Sequence, residues 1–327
     1  MIARRSFLIG SALAPLVPAF ARAQASNAPV WPARPVTLII PFPAGGAMDL
    51  LGRAVAQDFG HKLGQQFVVD NRVGAAGNIG AMAAAKAAPD GYTILMAGAG
   101  SLALNRFMFA NMPYDPETEL TPIVIVSKLP HIFVVNPKVE AKTLKELVEY
   151  ARANPGKLNA GVPGAGTTAH ITLEAFMAET GAKMTVVTYR AEPQMLTDLV
   201  GGQLDFACTL TTSPGPHVQA GRLRALAVTS AQRTRELPDV PTVEQAGFPG
   251  FEATAWFALA APTGTPADII QKINAAANAF LRSERGMQEL NKLDSLPAGG
   301  TPDEAKAFIA AEIRKWGPII KAAKIQM

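Results

Sequence analysis

An apolar run, Val36–Ile40, stops at Pro41 and gives way to a Pro/Gly-rich turn over 42–46 that opens a long amphipathic segment. This succession of strand, loop and helix does most to narrow the fold. Val36, Leu38, Ile39 and Ile40 leave no polar face, which is the pattern of a strand buried on both sides in a parallel sheet. Gly45 and Gly46 let the backbone approach a guest closely. The helix behind them turns its first N–H groups, and the positive end of its dipole, outward. Such a place suits an anion.

The succession recurs along the chain. Leu50, Leu51, Ala54, Val55, Phe59 and Leu63 fall at helical spacing, and Gly64 closes that helix. Strands are expected at 67–70 and 92–96, with an Ala-rich helix at 79–88 that Pro89-Asp90-Gly91 stops. Gly98-Ala99-Gly100-Ser101 then leads into another helix. Three such units argue for a parallel sheet with helices on its faces. From residue 123 the texture changes to two closely spaced strands, 123–127 and 132–136, separated by a turn at Pro130. They read as a crossing between domains. A second α/β set follows, with strands at 158–162, 184–189, 204–209 and 223–229. Its helices are one capped by Thr143 and Glu146, one at 167–180 and one at 193–200. A strand at 253–260, a helix begun by Thr265-Pro266 and a last one begun by Thr301-Pro302, with Glu304 in capping-box position, return to the first domain. The expected fold is therefore α/β, two domains crossed twice into a clamshell. Domain 1 is 26–124 with 231–327, domain 2 is 125–230, and the hinge lies near 123–127 and 226–230.

The first 25 residues carry Arg4 and Arg5, an apolar stretch over 7–20, and small-x-small sites ending at Ala23 and Ala25. A basic start, a stretch too short to span a membrane and such a site describe a cleaved export signal. Arg4-Arg5 ahead of Phe7-Leu8 is similar to a twin-arginine signal, with Ala3 and Ile9 departing from it. Cleavage removes Arg4, Arg5 and Arg22 from 30 basic residues and none of 26 acidic ones, leaving 27 against 26. That near-neutral balance lacks the basic face of a nucleic-acid binder. Cys208 stands alone, so no internal disulfide forms, and it reads as a small buried apolar residue. No later stretch is apolar enough to span a membrane, so a soluble product is expected.

Three glycine-rich loops follow expected strands, at 41–46, 98–101 and 163–168, and ligands in open α/β sheets sit at such strand ends. Residues 164–169 also match G-x-G-x-x-A with Glu192 downstream, a weak dinucleotide signal in the second half of an exported chain. Thr167 and Thr168 fit a helix cap that donates hydroxyls to an oxyanion. His61, His131, His170 and His217 are scattered, with no H-E-x-x-H, G-x-S-x-G or P-loop. His170, three residues after Thr167, caps or lines the cleft, although a lone first-turn histidine is more often structural. Asp49 reads as a first-turn acid favoured by the helix dipole. Asp205, in a buried strand run, needs a partner.

On these residues the chain resembles the periplasmic solute receptors of the tripartite tricarboxylate transporters, the Bug receptors. The resemblance is carried by PFPAGGAMD (41–49), GQQFVVDNRVGAAGNIG (64–80), AAPDGYTIL (87–95), PGAGTTAH (163–170), TDLVGGQLDF (197–206), AGRLRALAVTSAQR (220–233) and the run 237–266. It extends through the carboxyl-terminal helix at Lys315-Trp316, covering essentially the whole mature chain. It implies a type II periplasmic-binding-protein fold closing on a small carboxylate, held by backbone amides, hydroxyls and water rather than an arginine clamp. It also implies membrane permease subunits as partners, a monomer, and neither cofactor, metal nor catalysis. Phe42, Ala44, Gly45 and Gly46 match the first-domain loop, and Ser101 follows the third strand. Gly166, Thr167, Thr168 and His170 match the second-domain loop, while Asp205 and Thr209 mark the strand beyond. Met48 stands where relatives usually have Thr or Ser, Val162-Pro163 where a Ser pair is common, and Thr209 where an Asp is usual. These replacements bear on which ligand is taken. The competing reading is an exported α/β enzyme acting on a small carboxylate through His170.

Overall fold

The computed structural model describes residues 31–327, so the export segment expected at 1–25 lies outside the described residues. In the first lobe β1 (Val36–Ile40) pairs in parallel with β2 (Phe67–Asn71) on one side and β3 (Thr93–Gly98) on the other. The helices α1 (Ala47–Leu63) and α2 (Asn78–Ala85) make the crossovers. Val36, Leu38, Ile39 and Ile40 are all buried, as an apolar run without alternation requires. Gly64 ends α1 in the left-handed conformation, its N–H bonded to the Gly60 carbonyl. No regular helix follows β3; a wide turn over Gly100–Leu104 and a tighter one over Asn105–Phe107 replace it. A short helix α3 (Pro116–Glu119), capped by Asp115, leads to the next strand.

The second lobe repeats the plan. After α4 (Leu144–Ala153), β5 (Asn159–Val162) pairs in parallel with β6 (Thr185–Thr188) and β7 (Phe206–Leu210), with α5 (Thr168–Thr180) and α6 (Glu192–Gly201) between them. The helix α7 (Gly215–Gln219) precedes β8 (Arg224–Val228). At the start of α4, Thr143 accepts from the Glu146 N–H, but the Glu146 carboxylate accepts from the Lys142 N–H at 2.7 Å, one residue before the expected cap partner.

The two strands expected at 123–127 and 132–136 are one, β4 (Leu120–Val135), sixteen residues long. Its first part pairs with β9 (Thr254–Pro262) on one edge and β10 (Leu296–Gly299) on the other. Its second part pairs with β7 and β8. Pro130 does not break the strand because it falls where β9 ends its pairing, at Thr254, and β7 takes over at His131. A residue without an N–H is tolerated where a ladder changes partner. Pro122 sits at a register shift against β9, another tolerated place.

Beyond β8 the chain stays beside the second-lobe core: Phe251 packs on Phe133 and Phe176, and Phe248 packs edge-on against Phe176. It then enters β9, which lies antiparallel between β3 and β4. The helices α8 (Ala267–Arg282), α9 (Glu284–Lys292) and α10 (Pro302–Ala322) finish the first lobe, α10 opening with the expected capping box of Thr301 and Glu304.

Candidate functional site

A cleft of about 440 Å³ opens where β1 and β3 end. Its walls include the loop before α1, the turn carrying Ser101, the loop before α5, and Ala255, Trp256 and Phe257 near the start of β9. Carboxyl ends of parallel strands converge on such a place, since each delivers a loop and then the amino end of a helix.

The two helix-opening loops share a plan. Gly45 and Gly166 both have positive φ, +85° and +68°, a conformation that only glycine adopts without strain. Each is followed by the residue that caps the helix, Gly46 or Thr167, and four residues after each glycine a side chain reaches back to its N–H. Asp49 Oδ2 accepts from the Gly45 N–H at 2.9 Å, and His170 Nδ1 accepts from the Gly166 N–H at 3.1 Å. These two amides are therefore held within the protein rather than offered to a guest.

Asp49 is more heavily engaged than a helix-dipole partner needs to be. Its carboxylate, 1% exposed, also accepts from Arg53 Nε and Asn71 Nδ2, both at 2.9 Å. Asn71 Nδ2 donates as well to the Phe42 carbonyl at 3.0 Å, so the whole turn hangs on this group. Burial pushes the Asp49 pKa up, but hydrogen bonds from Arg53, Gly45 and Asn71 outweigh it and hold the value at about 2.

Few polar groups face the cleft, and most are already bonded. Thr167 Oγ1 donates to the Gly164 carbonyl at 2.9 Å and accepts from the His170 N–H at 3.3 Å. Thr168 Oγ1 lies 3.1 Å from Nε2 of His131, a fully buried residue of β4 whose pKa burial lowers to about 4, a fall that hydrogen bonding to the Ala253 backbone only partly offsets. Asn105 Nδ2 donates to Asn78 Oδ1 at 2.7 Å and to the Ala76 carbonyl at 3.0 Å. Ser101 differs: it is 2% exposed, and its Oγ has no hydrogen-bond partner among the described residues. The remaining wall is apolar, with Phe42, Met48, Trp256 and Phe257 prominent, and no Asp, Glu, Lys, Arg, His or Cys side chain lines it. Trp256 is held in place by donating Nε1 to Glu312 at 2.9 Å, a carboxylate that Trp316 Nε1 shares at the same distance.

Of the residues singled out by sequence, Phe42, Gly46, Ser101, Gly166, Thr167 and Thr168 meet at this cleft. Ala44 and Gly45 belong to the same loop but not to its wall. Three others lie away from it. His170 stands behind the second loop, its Nδ1 taken by Gly166 and its Nε2 3.6 Å from Glu174. Asp205 precedes β7 and so sits at the opposite end of the sheet, half-buried rather than buried as expected, where Oδ2 accepts from the Asn159 N–H at 2.8 Å. Thr209 is buried and hydrogen-bonded to Glu192 at the start of α6, outside the cleft. Sequence reasoning missed Asn105, Trp256, Phe257 and Met327 as wall residues. For Trp256 and Phe257 the strand was legible, but nothing local says which strand face meets a cleft. Among the described residues no group of three or more His, Cys, Asp or Glu is arranged to hold a metal ion.

A model of the tripartite tricarboxylate transporter family receptor matches residues 51–325. Protein BugT of Bordetella pertussis is 36% identical over 298 residues, which are 90% of this chain and 91% of that protein. Among solved structures, R. palustris Rpa4515 with adipate is 38% identical with a TM-score of 0.77, covering 90% of this chain and 99% of its own. MatC (Rpa3494) from Rhodopseudomonas palustris with bound malate is 29% identical with a TM-score of 0.73, covering 89% of this chain and 100% of its own.

Proposed function

Because the chain belongs to the tripartite tricarboxylate transporter receptor family, we propose that it is a periplasmic solute-binding receptor which takes up a small organic carboxylate in this cleft and delivers it to a membrane transporter. The observation that carries the site is the buried, unpartnered hydroxyl of Ser101, on a wall shared with the opening turns of α1 and α5. First-turn N–H groups of a helix have no partner within it, and a carboxylate supplies one. Relatives of the same fold hold adipate and malate, both small carboxylates.

An enzyme would need a general acid, a base or a nucleophile on the wall, and no titratable side chain stands there. His170 has already given the Nδ1 lone pair to Gly166. The protein therefore binds without turnover, as a monomer, and closes around its ligand. The loops before α1 and α5 lie on different lobes, so only a closed form satisfies both, and ligand shifts the population toward it. We draw the domain boundaries at Pro130 within β4 and at Thr254, later than the expected return at 231, because Phe248 and Phe251 pack with the second-lobe core. Export proceeds through cleavage near Ala23 or Ala25, by the twin-arginine route.

Small-angle scattering with and without a bound carboxylate tests the reading. A smaller radius of gyration in the complex, with the carboxylate recovered unchanged, is the expected result. Conversion of the carboxylate that disappears in His170→Ala would replace the receptor by the enzyme.

A further inference from the structure

A receptor that closes over its ligand needs a contact that the open form cannot make, and the residues after α10 supply one. We propose, resting on the receptor reading, that Met327 is the clasp of the cleft: carried by the first lobe, it sets its thioether on the second-lobe loop at Gly166 and so fixes how long a bound carboxylate stays.

The chain turns sharply where α10 stops. Lys324 has a φ of +53°, a conformation unusual for a residue with a side chain. The Lys324 N–H donates to the Lys321 carbonyl and the Ile325 N–H to the Ile320 carbonyl, both at 3.2 Å. This is the bond pair of a helix end that ordinarily has glycine at the turning position. What holds a lysine there is Ile325, which is 5% exposed and buried in the same core cluster as Ile320. The chain is then led back over the first lobe, where the Met327 N–H donates to the Met108 carbonyl at 3.0 Å. Two anchors, one apolar and one hydrogen-bonded, thus fix a residue whose own side chain stays out of the core: Met327 is 52% exposed and lines the cleft.

The Met327 sulfur faces the other lobe. A Cβ placed on Gly166 would stand 3.0 Å from Met327 Sδ and 3.1 Å from Met108 Sδ, so the second-lobe loop rests against two thioethers of the first lobe, and only glycine leaves room for both. Elsewhere α10 meets α5 beside the crossing, where Glu312 and Trp316 share a small cavity with Thr168, Thr172 and Thr254. A contact next to the crossing persists as the lobes swing apart, whereas one across the cleft is broken. A thioether suits that second place, because it is flexible and polarisable and fills an irregular gap without demanding one geometry. A contact made in the closed form and lost in the open one shifts their populations by its own free energy.

Two measurements on Met327→Ala decide the matter. With adipate as the probe, dissociation should be about fivefold faster while association stays within about twofold of wild type, since the clasp acts once the ligand is in. Scattering on ligand-free protein needs no carboxylate: the contact joins protein atoms alone, so the variant should show the larger radius of gyration. Met327→Leu keeps the apolar bulk and should match wild type in both. The unfolding midpoint of Met327→Ala should hold, because the side chain is half exposed. An unchanged dissociation rate, or equal ligand-free radii, overturns the clasp and leaves the receptor intact. Faster dissociation with a fallen midpoint also overturns it, by making Met327 a structural residue. Failure of adipate to bind the wild-type protein counts against the carboxylate reading instead, and the ligand-free radii then decide the clasp by themselves.

Discussion

In the first lobe the turn before α1 is held by a carboxylate, Asp49; in the second, the turn before α5 is held by an imidazole, His170, with a further imidazole, His131, behind Thr168. The backbone problem is the same in both, a positive-φ glycine whose N–H points inward just before a helix. The solutions differ in charge and in number of bonds. Asp49 accepts from three groups and stays ionised down to about pH 2. His170 accepts from one backbone amide only.

The sharpest test of this difference is to remove the carboxylate. Asp49→Ala strands the Asn71 amide, the Gly45 N–H and the half-exposed Arg53, and should cost about 3 kcal/mol in urea denaturation, with at least a hundredfold loss of ligand affinity. If it costs no more than His170→Ala, the two loops are equivalent and the contrast fails.

Acid titration of stability follows in size. His131 is lowered from 6.5 to about 4, so above pH 6.5 folded and unfolded chains are both neutral there. Between pH 6.5 and 4 the unfolded chain takes up a proton that the folded one refuses, and stability should fall by about 2 to 3 kcal/mol over that window. Asp49, lowered from 3.8 to about 2, contributes in full above 3.8 and loses its share only as pH falls toward 2. Denaturation midpoints from pH 7 to 4 in the wild-type protein and in His131→Asn separate the two: the slope above pH 4 should flatten in the variant. An unchanged slope would mean that the acid sensitivity lies elsewhere.

Smaller again is Ser101→Ala. Affinity should fall about tenfold, or about 1.4 kcal/mol, while the unfolding midpoint stays or rises slightly, because an unsatisfied buried hydroxyl is removed. Binding that survives intact would move the anion away from Ser101. The smallest expected effect is His170→Ala, about 1 kcal/mol of stability, with partial recovery in His170→Asn if an acceptor for the Gly166 N–H is what matters.

Much of this was legible in residue order. The buried run before Pro41, the glycine after α1, and the Thr167 and Thr301 caps were all readable because each depends on a few neighbours. Pro130 misled for the same reason: a local rule reads a proline as a break, whereas here it meets a change of pairing partner supplied by β9 and β7. Asp205 looked like a site residue because a charge within a buried strand needs a partner, but it stands just ahead of β7, only half-buried, and the amide it bonds, on Asn159, is distant in sequence.

The sequence alone determined the alternation of strands and helices, the two glycine-opened turns and the resemblance to transporter receptors. Those properties follow from periodicity, capping and backbone freedom, which act within a few residues. Only tertiary structure decided that Asp49 and His170 both spend themselves on loop amides, that Thr168 is tied to a histidine on the crossing strand, and that Trp256 and Phe257 wall the cleft beside Ser101. Whether a polar group is free for a ligand depends on every neighbour that competes for its hydrogen bonds, and those neighbours are gathered by the pairing of β4 and β9 rather than by order along the chain.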